Sequence, residues 1–118
     1  MKKSNTKRWI RNFDLMQKGD IWWANLPDPI GRRPVALLSR NEAYKVRNSV
    51  TVAEVTSTIR NIPVEVILGF KEEIPKECVI NLDTIITIRK ELLDEKITHL
   101  SHDKICEINE AIKFALDL

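Results

Sequence analysis

The stretch that decides the fold is Gly31-Arg32-Arg33-Pro34-Val35-Ala36-Leu37-Leu38. A glycine and two arginines stop at a proline, and the unbroken apolar run that follows is typical of a central strand. The segment before it, Pro27-Asp28-Pro29-Ile30, is predicted to be a rigid loop because each proline fixes φ, and Gly31 allows the positive φ of a tight turn. The two guanidinium groups are therefore expected on a turn at the mouth of a sheet.

Short strand-like segments recur on both sides of this stretch. They are rich in aromatic and β-branched residues and are bounded by turn formers. The predicted strands are residues 21–26, residues 34–39, a segment carrying Val50, Val52 and Val55, residues 63–68, residues 78–82 and residues 84–88. Asp83 separates the last two and indicates a bend, and residues 41–44 are expected to form one short helical turn.

The C-terminal stretch changes to a helical period. Ser101 is a good N-cap, and Asp103 favours the positive end of a helix. Apolar residues then recur at three- and four-residue steps, at Ile105, Ile108, Ile112, Ala115 and Leu116. This pattern predicts an amphipathic helix that covers a sheet. Short strands closed by one helix indicate a mainly β fold with α (α+β), built as a small antiparallel barrel.

Composition sets broad limits on the class of protein. The chain has 118 residues, 43% hydrophobic and 31% charged, which suits one globular domain. No run approaches the roughly 18 apolar residues of a membrane span, and no apolar region follows the basic N-terminus as in a signal peptide. Cys78 and Cys106 are interpreted as reduced core residues of a cytosolic protein, with a disulfide as the minor alternative. No spacing of His, Cys, Asp and Glu indicates a zinc site.

Charge is distributed unevenly although the net charge is only +2. Residues 1–40 hold nine Lys or Arg and three Asp or Glu, whereas residues 41–118 hold ten and fourteen. A basic half favours a polyanion, with RNA or DNA as the first candidates; the alternative is a tail that only solubilises the chain. Residues 1–17 are predicted to be a basic N-terminal arm, part of which could form a short helix packed on the body at residues 18–118.

The arginine turn and a hydroxyl cluster together indicate chemistry on phosphate. Thr56-Ser57-Thr58 stands at the end of a predicted strand, and no histidine or metal ligand lies near either segment in sequence. A guanidinium grips two phosphate oxygens with a planar fork, and hydroxyl groups add hydrogen bonds. Arg33 and Thr56 are therefore candidate phosphate ligands.

Structural roles compete with this interpretation. Arg33 can instead pair with a carboxylate such as Asp20 or Asp83, and Thr56 can be a strand residue chosen for β propensity. Ser57 and Thr58 suit a simple polar turn equally well. The two histidines, His99 and His102, invite an acid–base interpretation, but a capping or surface role at the start of the last helix is favoured.

Six segments in a specific order connect the chain to a known family. They are Lys18-Gly19-Asp20-Ile21-Trp22-Trp23-Ala24, Arg33-Pro34-Val35, Thr51-Val52-Ala53-Glu54-Val55-Thr56-Ser57, Pro63-Val64-Glu65-Val66, Cys78-Val79-Ile80-Asn81-Leu82-Asp83 and Lys96-Ile97-Thr98-His99-Leu100-Ser101. Each is weak alone, but their order and spacing are specific. Over residues 18–118 the chain resembles the MazF/PemK-type toxins of bacterial toxin–antitoxin systems.

The resemblance implies an SH3-like barrel closed by a C-terminal helix, in a cytoplasmic homodimer. It implies a sequence-specific, metal-independent endoribonuclease that needs no cofactor and acts on single-stranded RNA. A MazE-like antitoxin with an acidic, disordered tail would cover the RNA groove. The family's catalytic arginine before Pro-Val and its first threonine after the Val-Ala-x-Val strand correspond to Arg33 and Thr56. The RNA-binding positions expected beside them are Arg32, Ser57, Thr58, Asp83, Thr84 and Lys18.

RNA supplies its own nucleophile for this reaction. A 2′-OH attacks the adjacent phosphorus and expels the 5′-oxygen, which leaves a 2′,3′-cyclic phosphate and a 5′-OH. Two departures from the family pattern stand out: Thr84 replaces a frequent amide, and the loop of residues 27–32 is shorter than in the best-known members. The alternative functions are a non-catalytic CcdB-like toxin that binds a protein such as DNA gyrase, and a catalytically inactive interaction module of the same fold.

Overall fold

The computed structural model of the protein describes residues 15–118, which form seven strands and two helices joined by short turns. The strands are β1 (Asp20–Asn25), β2 (Arg32–Leu37), β3 (Ser49–Thr56), β4 (Glu65–Leu68), β5 (Cys78–Asn81), β6 (Ile86–Arg89) and β7 (Leu93–His99). The helices are α1 (Ala43–Val46) and α2 (His102–Leu116), and the 3-10 turns are Phe70–Glu72, Leu82–Thr84 and Lys90–Leu92. None of the helices in this part of the chain is long and apolar enough to cross a bilayer.

Strand β3 organises the sheet because it pairs along both edges, always antiparallel. One edge pairs with β2, which continues through β1 to β7. The other edge pairs with β6 over residues 49–52 and with β5 over residues 55–56, and β4 lies beyond β5. On that edge β3 therefore changes its partner, from β6 to β5, near Glu54.

Thr84 lies in the gap between β5 and β6, where β3 changes its partner. Its hydroxyl donates to the Asn81 carbonyl oxygen at 2.6 Å and accepts the backbone N–H of Glu54 at 3.0 Å. These two bonds replace a missing ladder contact where β3 changes partners. Thr84 therefore holds the backbone of Glu54 in place.

Two hydrophobic clusters lie on opposite faces of the sheet, because side chains alternate along each strand. One surrounds Trp22 and Tyr44 and includes Val35 of β2; burial raises the pKa of the Tyr44 phenol. The other includes Ile21 and Val55 and is covered by α2. The antiparallel, mainly β architecture with a closing helix matches the fold class predicted from the sequence.

Helix α2 confirms the amphipathic pattern. The Ser101 hydroxyl caps its first turn by accepting the Lys104 N–H at 3.2 Å, and Ile108 and Ala111 are buried against the sheet. Cys106 is exposed, so its prediction as a core residue is wrong: it lies beside the apolar stripe and not within it. Cys78 is buried as expected, and both thiols are free.

Asp20 is a buried carboxylate that ties β1 to β7. Its oxygens accept the Trp22 Nε1–H and the Gln17 backbone N–H, both at 3.0 Å. His99 Nδ1 lies 2.7 Å from one oxygen, and Lys96 Nζ lies 3.7 Å away. Several donors and a cation are what a carboxylate needs when it leaves water. The pairing of Asp20 with Arg33 considered above is therefore wrong, and His99 ends β7 and does not start the helix.

Among the strands and α-helices of residues 15–118, strand β7 is the one that the sequence pattern did not predict. The predicted strand at residues 84–88 is also displaced, since the chain forms a 3-10 turn at Leu82–Thr84 and β6 begins at Ile86. Residues 1–14 of the predicted arm lie outside the described residues. Met16 is buried in the cluster around Trp22, so the end of the arm belongs to the packed body.

Candidate functional site

Arg33 and Thr56 lie on one face of the sheet where β2 and β3 separate. Val35 pairs with Glu54 across the two strands. Side chains alternate with a period of two, so Arg33 shares the face of Val35, and Thr56 shares the face of Glu54. The pairing ends there, and Arg33 and Thr56 each lie two residues beyond it. The two predicted catalytic residues therefore lie on one face at the end of the β2–β3 pairing, in what we call the mouth (Arg33, Glu54 and Thr56).

Glu54 is the residue that the sequence analysis missed. Its Oε1 lies 3.4 Å from Arg33 Nη1. The side chains of Arg33 and Glu54 are 37% and 22% exposed, so the pair lies at the surface but is partly shielded from water. A charged residue between Ala53 and Val55 of an apolar strand, two positions before Thr56, was a signal in the sequence.

The Arg33 guanidinium retains most of its hydrogen-bonding capacity. Its one contact to the rest of residues 15–118 is through Nη1, so Nε and Nη2 have no acceptor there. A guanidinium has five N–H donors in a fixed fork. An incoming phosphate can therefore bind two of those donors while Glu54 continues to orient the group.

The hydroxyl cluster forms a tight turn after β3. Thr56 Oγ1 accepts the Thr58 N–H at 3.2 Å, and the side chains of Ser57 and Thr58 are exposed. This bond fixes the Thr56 rotamer and leaves its O–H free to donate. The backbone turn predicted for Ser57 and Thr58 is present, and their hydroxyl groups stand at the rim of the same mouth.

Arg32 projects from the opposite face to Arg33, as expected for adjacent residues of a strand. Its Nη1 donates to Asp94 and to Asn25 (3.2 Å), and its Nη2 lies 3.8 Å from Glu95. The guanidinium lies over Trp23, 4.9 Å from the ring centroid. Arg32 is thus held between an indole and two carboxylates, and its contact with RNA stays a prediction.

The three other predicted RNA ligands lie in different places. Asp83 is exposed on the 82–84 turn, and its backbone N–H donates to Asn81 Oδ1 at 2.9 Å. The Thr84 hydroxyl forms hydrogen bonds with the backbone of Asn81 and Glu54. Lys18 lies in the turn before β1, whereas Arg33 pairs with Ala24 near the end of β1, so about 13 Å of strand from Asp20 to Ala24 lies between them. Within one chain Lys18 is therefore not part of the Arg33–Thr56 cluster.

An apolar cleft of about 460 Å³ lies beside the hydroxyl turn. Thr56 and Ser57 form part of its rim, and Trp23, Pro34 and Ile97 line its wall. A cleft of this size, with one aromatic wall and a hydroxyl rim, can take an unstacked nucleobase.

A larger cleft of about 990 Å³ lies between β4 and α2. Its charged lining is four carboxylates and one amine, so the excess negative charge would repel a polyanion. These residues are Glu65, Glu107, Glu110, Asp117 and Lys113. In residues 15–118 no three His, Cys, Asp or Glu side chains converge on a point where they could hold a metal ion. The candidate site is therefore the mouth at Arg33, Glu54 and Thr56.

Comparison with known proteins was made by sequence and by structure. The family model of the PemK-like, MazF-like toxins of type II toxin–antitoxin systems matches residues 17–116. A protein named endoribonuclease MazF from Staphylococcus saprophyticus is 36% identical over 113 residues, which cover 88% of this chain and 93% of that protein.

Solved structures share the fold. A structure described as Mycobacterium tuberculosis toxin MazF-mt6 superposes with a TM-score of 0.78 at 30% identity, covering 84% of this chain and 97% of that one. An endoribonuclease from a mycobacterial species, solved in complex with its cognate antitoxin, superposes with a TM-score of 0.77 at 24% identity over 87% of this chain and 96% of that one. With the family model spanning nearly the whole described body, this chain belongs to the PemK-like, MazF-like toxins of type II toxin–antitoxin systems.

Proposed function

We propose that this chain is the endoribonuclease toxin of a type II toxin–antitoxin system, and that it cleaves single-stranded RNA without a metal at a specific sequence. What supports this most is the position of Arg33 and Thr56 on one face at the end of the β2–β3 pairing, on a fold whose relatives include proteins named endoribonucleases. The catalytic residues are Arg33 and Thr56. The proposed boundaries are a basic arm over residues 1–17, whose end packs on the body through Met16, and a toxin domain over residues 18–118.

The reaction is an internal transesterification. The 2′-oxygen attacks the adjacent phosphorus, the bond to the 5′-oxygen breaks, and the products carry a 2′,3′-cyclic phosphate and a 5′-OH. Arg33 binds non-bridging phosphate oxygens through its unpaired donors and neutralises the charge that develops on them. The Thr56 hydroxyl donates to the same phosphate. DNA has no 2′-OH, so it is not a substrate.

RNA binding uses the rim of the same mouth. Ser57 and Thr58 are exposed there and contact the backbone or bases, and the cleft beside Trp23 receives one base. Asp83 contacts the RNA from the 82–84 turn. Arg32 contributes when a phosphate competes with its carboxylate partners. Thr84 acts indirectly, through the backbone of Glu54, while Lys18 is within reach only of a longer RNA or one bound across two chains.

The partners follow from the family. The mycobacterial relative was solved with its cognate antitoxin, and the basic character of residues 1–40 suits an antitoxin with an acidic tail. The toxin works in the cytoplasm as a homodimer, which places two mouths on one RNA-binding surface.

One assay tests the proposal against the binding-only alternatives. Purified protein is incubated in EDTA with a long RNA of mixed sequence and, separately, with single-stranded DNA of the same sequence. The wild type is expected to cut the RNA alone, at a few positions, and to leave cyclic phosphate ends. Arg33→Ala should lose at least about a hundredfold in rate, whereas Arg40→Ala, at an exposed arginine away from the mouth, should cut normally. RNA left intact by the wild type would overturn the proposal and favour the gyrase-binding alternative.

A further inference from the structure

The reaction proposed above needs a base for the 2′-OH proton, and neither predicted catalytic residue is suited to that task. Arg33 is a permanent cation. A threonine hydroxyl is a very weak acid, and Thr56 Oγ1 already accepts the Thr58 N–H. A carboxylate or an imidazole within reach of the phosphate is the usual solution.

The other titratable groups near the mouth are poorly placed for it. His99 is held by the buried Asp20 on the β1–β7 side of the sheet, and His102 starts α2. Asp83 is exposed on the 82–84 turn and has no contact with Arg33. Glu54 is the carboxylate that touches the phosphate-binding guanidinium.

We propose that Glu54 is the general base of the cleavage reaction, an inference that rests on the proposed endoribonuclease function. Glu54 uses Oε1 for Arg33, and its Oε2 has no hydrogen-bond partner within residues 15–118. Its backbone is fixed by the Thr84 hydroxyl, so the side chain starts from a defined position. A phosphate bound to Arg33 brings the adjacent 2′-OH to the side of the guanidinium where Oε2 stands.

The proton and electron balance is complete with these groups. Oε2 takes the 2′-OH proton as the 2′-oxygen forms its bond to phosphorus. The bond from phosphorus to the 5′-oxygen breaks, and the leaving oxygen takes a proton from water. Glu54 then returns its proton to solvent, and Arg33 stays charged throughout. Arg33 thus has two tasks, since it binds the phosphate and orients Glu54.

Charged and polar groups face Glu54 from both edges of β3. Arg33 of β2 is the charged side chain in contact with it. On the other edge of β3, the 82–84 turn presents the Thr84 hydroxyl to its backbone and carries Asp83 as its titratable side chain. A protonated carboxyl cannot take the 2′-OH proton, so the wild-type rate is expected to fall on the acid side of the pH–rate profile.

The test compares wild type with Glu54→Gln, which keeps the size of the side chain and an oxygen that can accept from Arg33. Glu110→Gln, at an exposed carboxylate of α2 away from the mouth, is the matched control. Three measurements are made: kcat/KM between pH 4 and 9, the affinity for a 2′-deoxy oligonucleotide that cannot be cut, and the thermal midpoint. A general base typically contributes about 10²- to 10⁴-fold, so Glu54→Gln should lose that much in kcat/KM at neutral pH. Its acid limb should disappear, while its affinity stays within about threefold and its thermal midpoint stays near that of Glu110→Gln.

A structural role for Glu54 would give another pattern. If Glu54→Gln loses affinity for the uncut oligonucleotide as much as it loses rate, or keeps the acid limb of the wild type, the inference is overturned. If the wild type cuts no RNA at all, the proposed function itself fails, and this outcome is distinct because no profile is then obtained for any variant.

Discussion

Replacing Gly19 with alanine tests the packing between the start of β1 and α2. Gly19 has φ +92°, and an added Cβ would lie 2.5 Å from Ile105 Cδ1 and 2.7 Å from Ile105 Cγ1. The backbone cannot move away easily, because the Gly19 N–H donates to the Leu37 carbonyl (2.9 Å) and its carbonyl accepts the Leu100 N–H (3.0 Å). The positive φ costs about 1–2 kcal/mol for alanine, and overpacking against Ile105 adds about 1–3 kcal/mol.

The predicted loss in the free energy of unfolding is therefore about 2–5 kcal/mol, a large share of the stability of a small domain. The assay is urea unfolding followed by tryptophan fluorescence. The other two glycines are matched controls. Gly31 has φ +73° with nothing within 4 Å of an added Cβ. Gly69 has an extended φ of −167° and also has nothing within 4 Å of an added Cβ. Gly31→Ala should lose only the strain of about 1–2 kcal/mol, and Gly69→Ala should lose almost nothing.

A double variant separates the two parts of the cost at Gly19. Adding Ile105→Ala removes the atoms that the new Cβ would meet, so the loss in the double variant should be smaller than the sum of the two single losses by about 1 kcal/mol or more. If Gly19→Ala is no less stable than Gly69→Ala, or if the two losses at Gly19 and Ile105 add fully, the reasoning about this contact is refuted.

Three further predictions concern the buried polar groups and the thiols. Asp20→Ala should lower the free energy of unfolding in urea by about 3–5 kcal/mol, because the Trp22 indole N–H and the Gln17 backbone N–H lose their acceptor. A decrease below about 1 kcal/mol would contradict this. Thr84→Val should lower the free energy of unfolding by about 1–3 kcal/mol, because it removes both hydrogen bonds from the hydroxyl to the backbone. Thr84→Ser keeps the hydroxyl and should retain most of that stability. Burial, with Glu72 and Glu77 nearby, raises the pKa of the Cys78 thiol, so less thiolate is present at pH 8 and a thiol reagent should label Cys106 quickly and Cys78 only after unfolding. Equal labelling rates in the folded protein would contradict it.

Much of the sheet could be predicted because its strands carry an unbroken or alternating apolar pattern. Strand β7 could not, because three consecutive charged residues, 94–96, stand between its apolar residues Leu93 and Ile97, and its pairing with β1 is interrupted by register shifts. It forms through its pairing with β1 and through the contacts of His99 and Lys96 with Asp20, which are not visible in a local pattern. Tertiary pairing here outweighs local propensity.

The candidate site shows a similar limit. Arg33 and Thr56 carry recognisable signals, a proline after one and a hydroxyl cluster after the other. Their place on one face of the sheet depends on the register between β2 and β3, which only the folded sheet reveals. Glu54 was visible as a charge in an apolar strand, but its contact with Arg33 depends on the same register, and the contact of Thr84 with its backbone depends on the gap between β5 and β6.

The most direct test of the account is a double-variant cycle on the cleavage rate. kcat/KM is measured on one RNA for the wild type, Arg33→Ala, Thr56→Val and the double variant. If both side chains act on one phosphate, the loss in the double variant will be close to the larger single loss and well short of the product of the two. Independent losses that multiply, or a Thr56→Val rate equal to that of the wild type, would contradict the claim that these two groups share the scissile linkage.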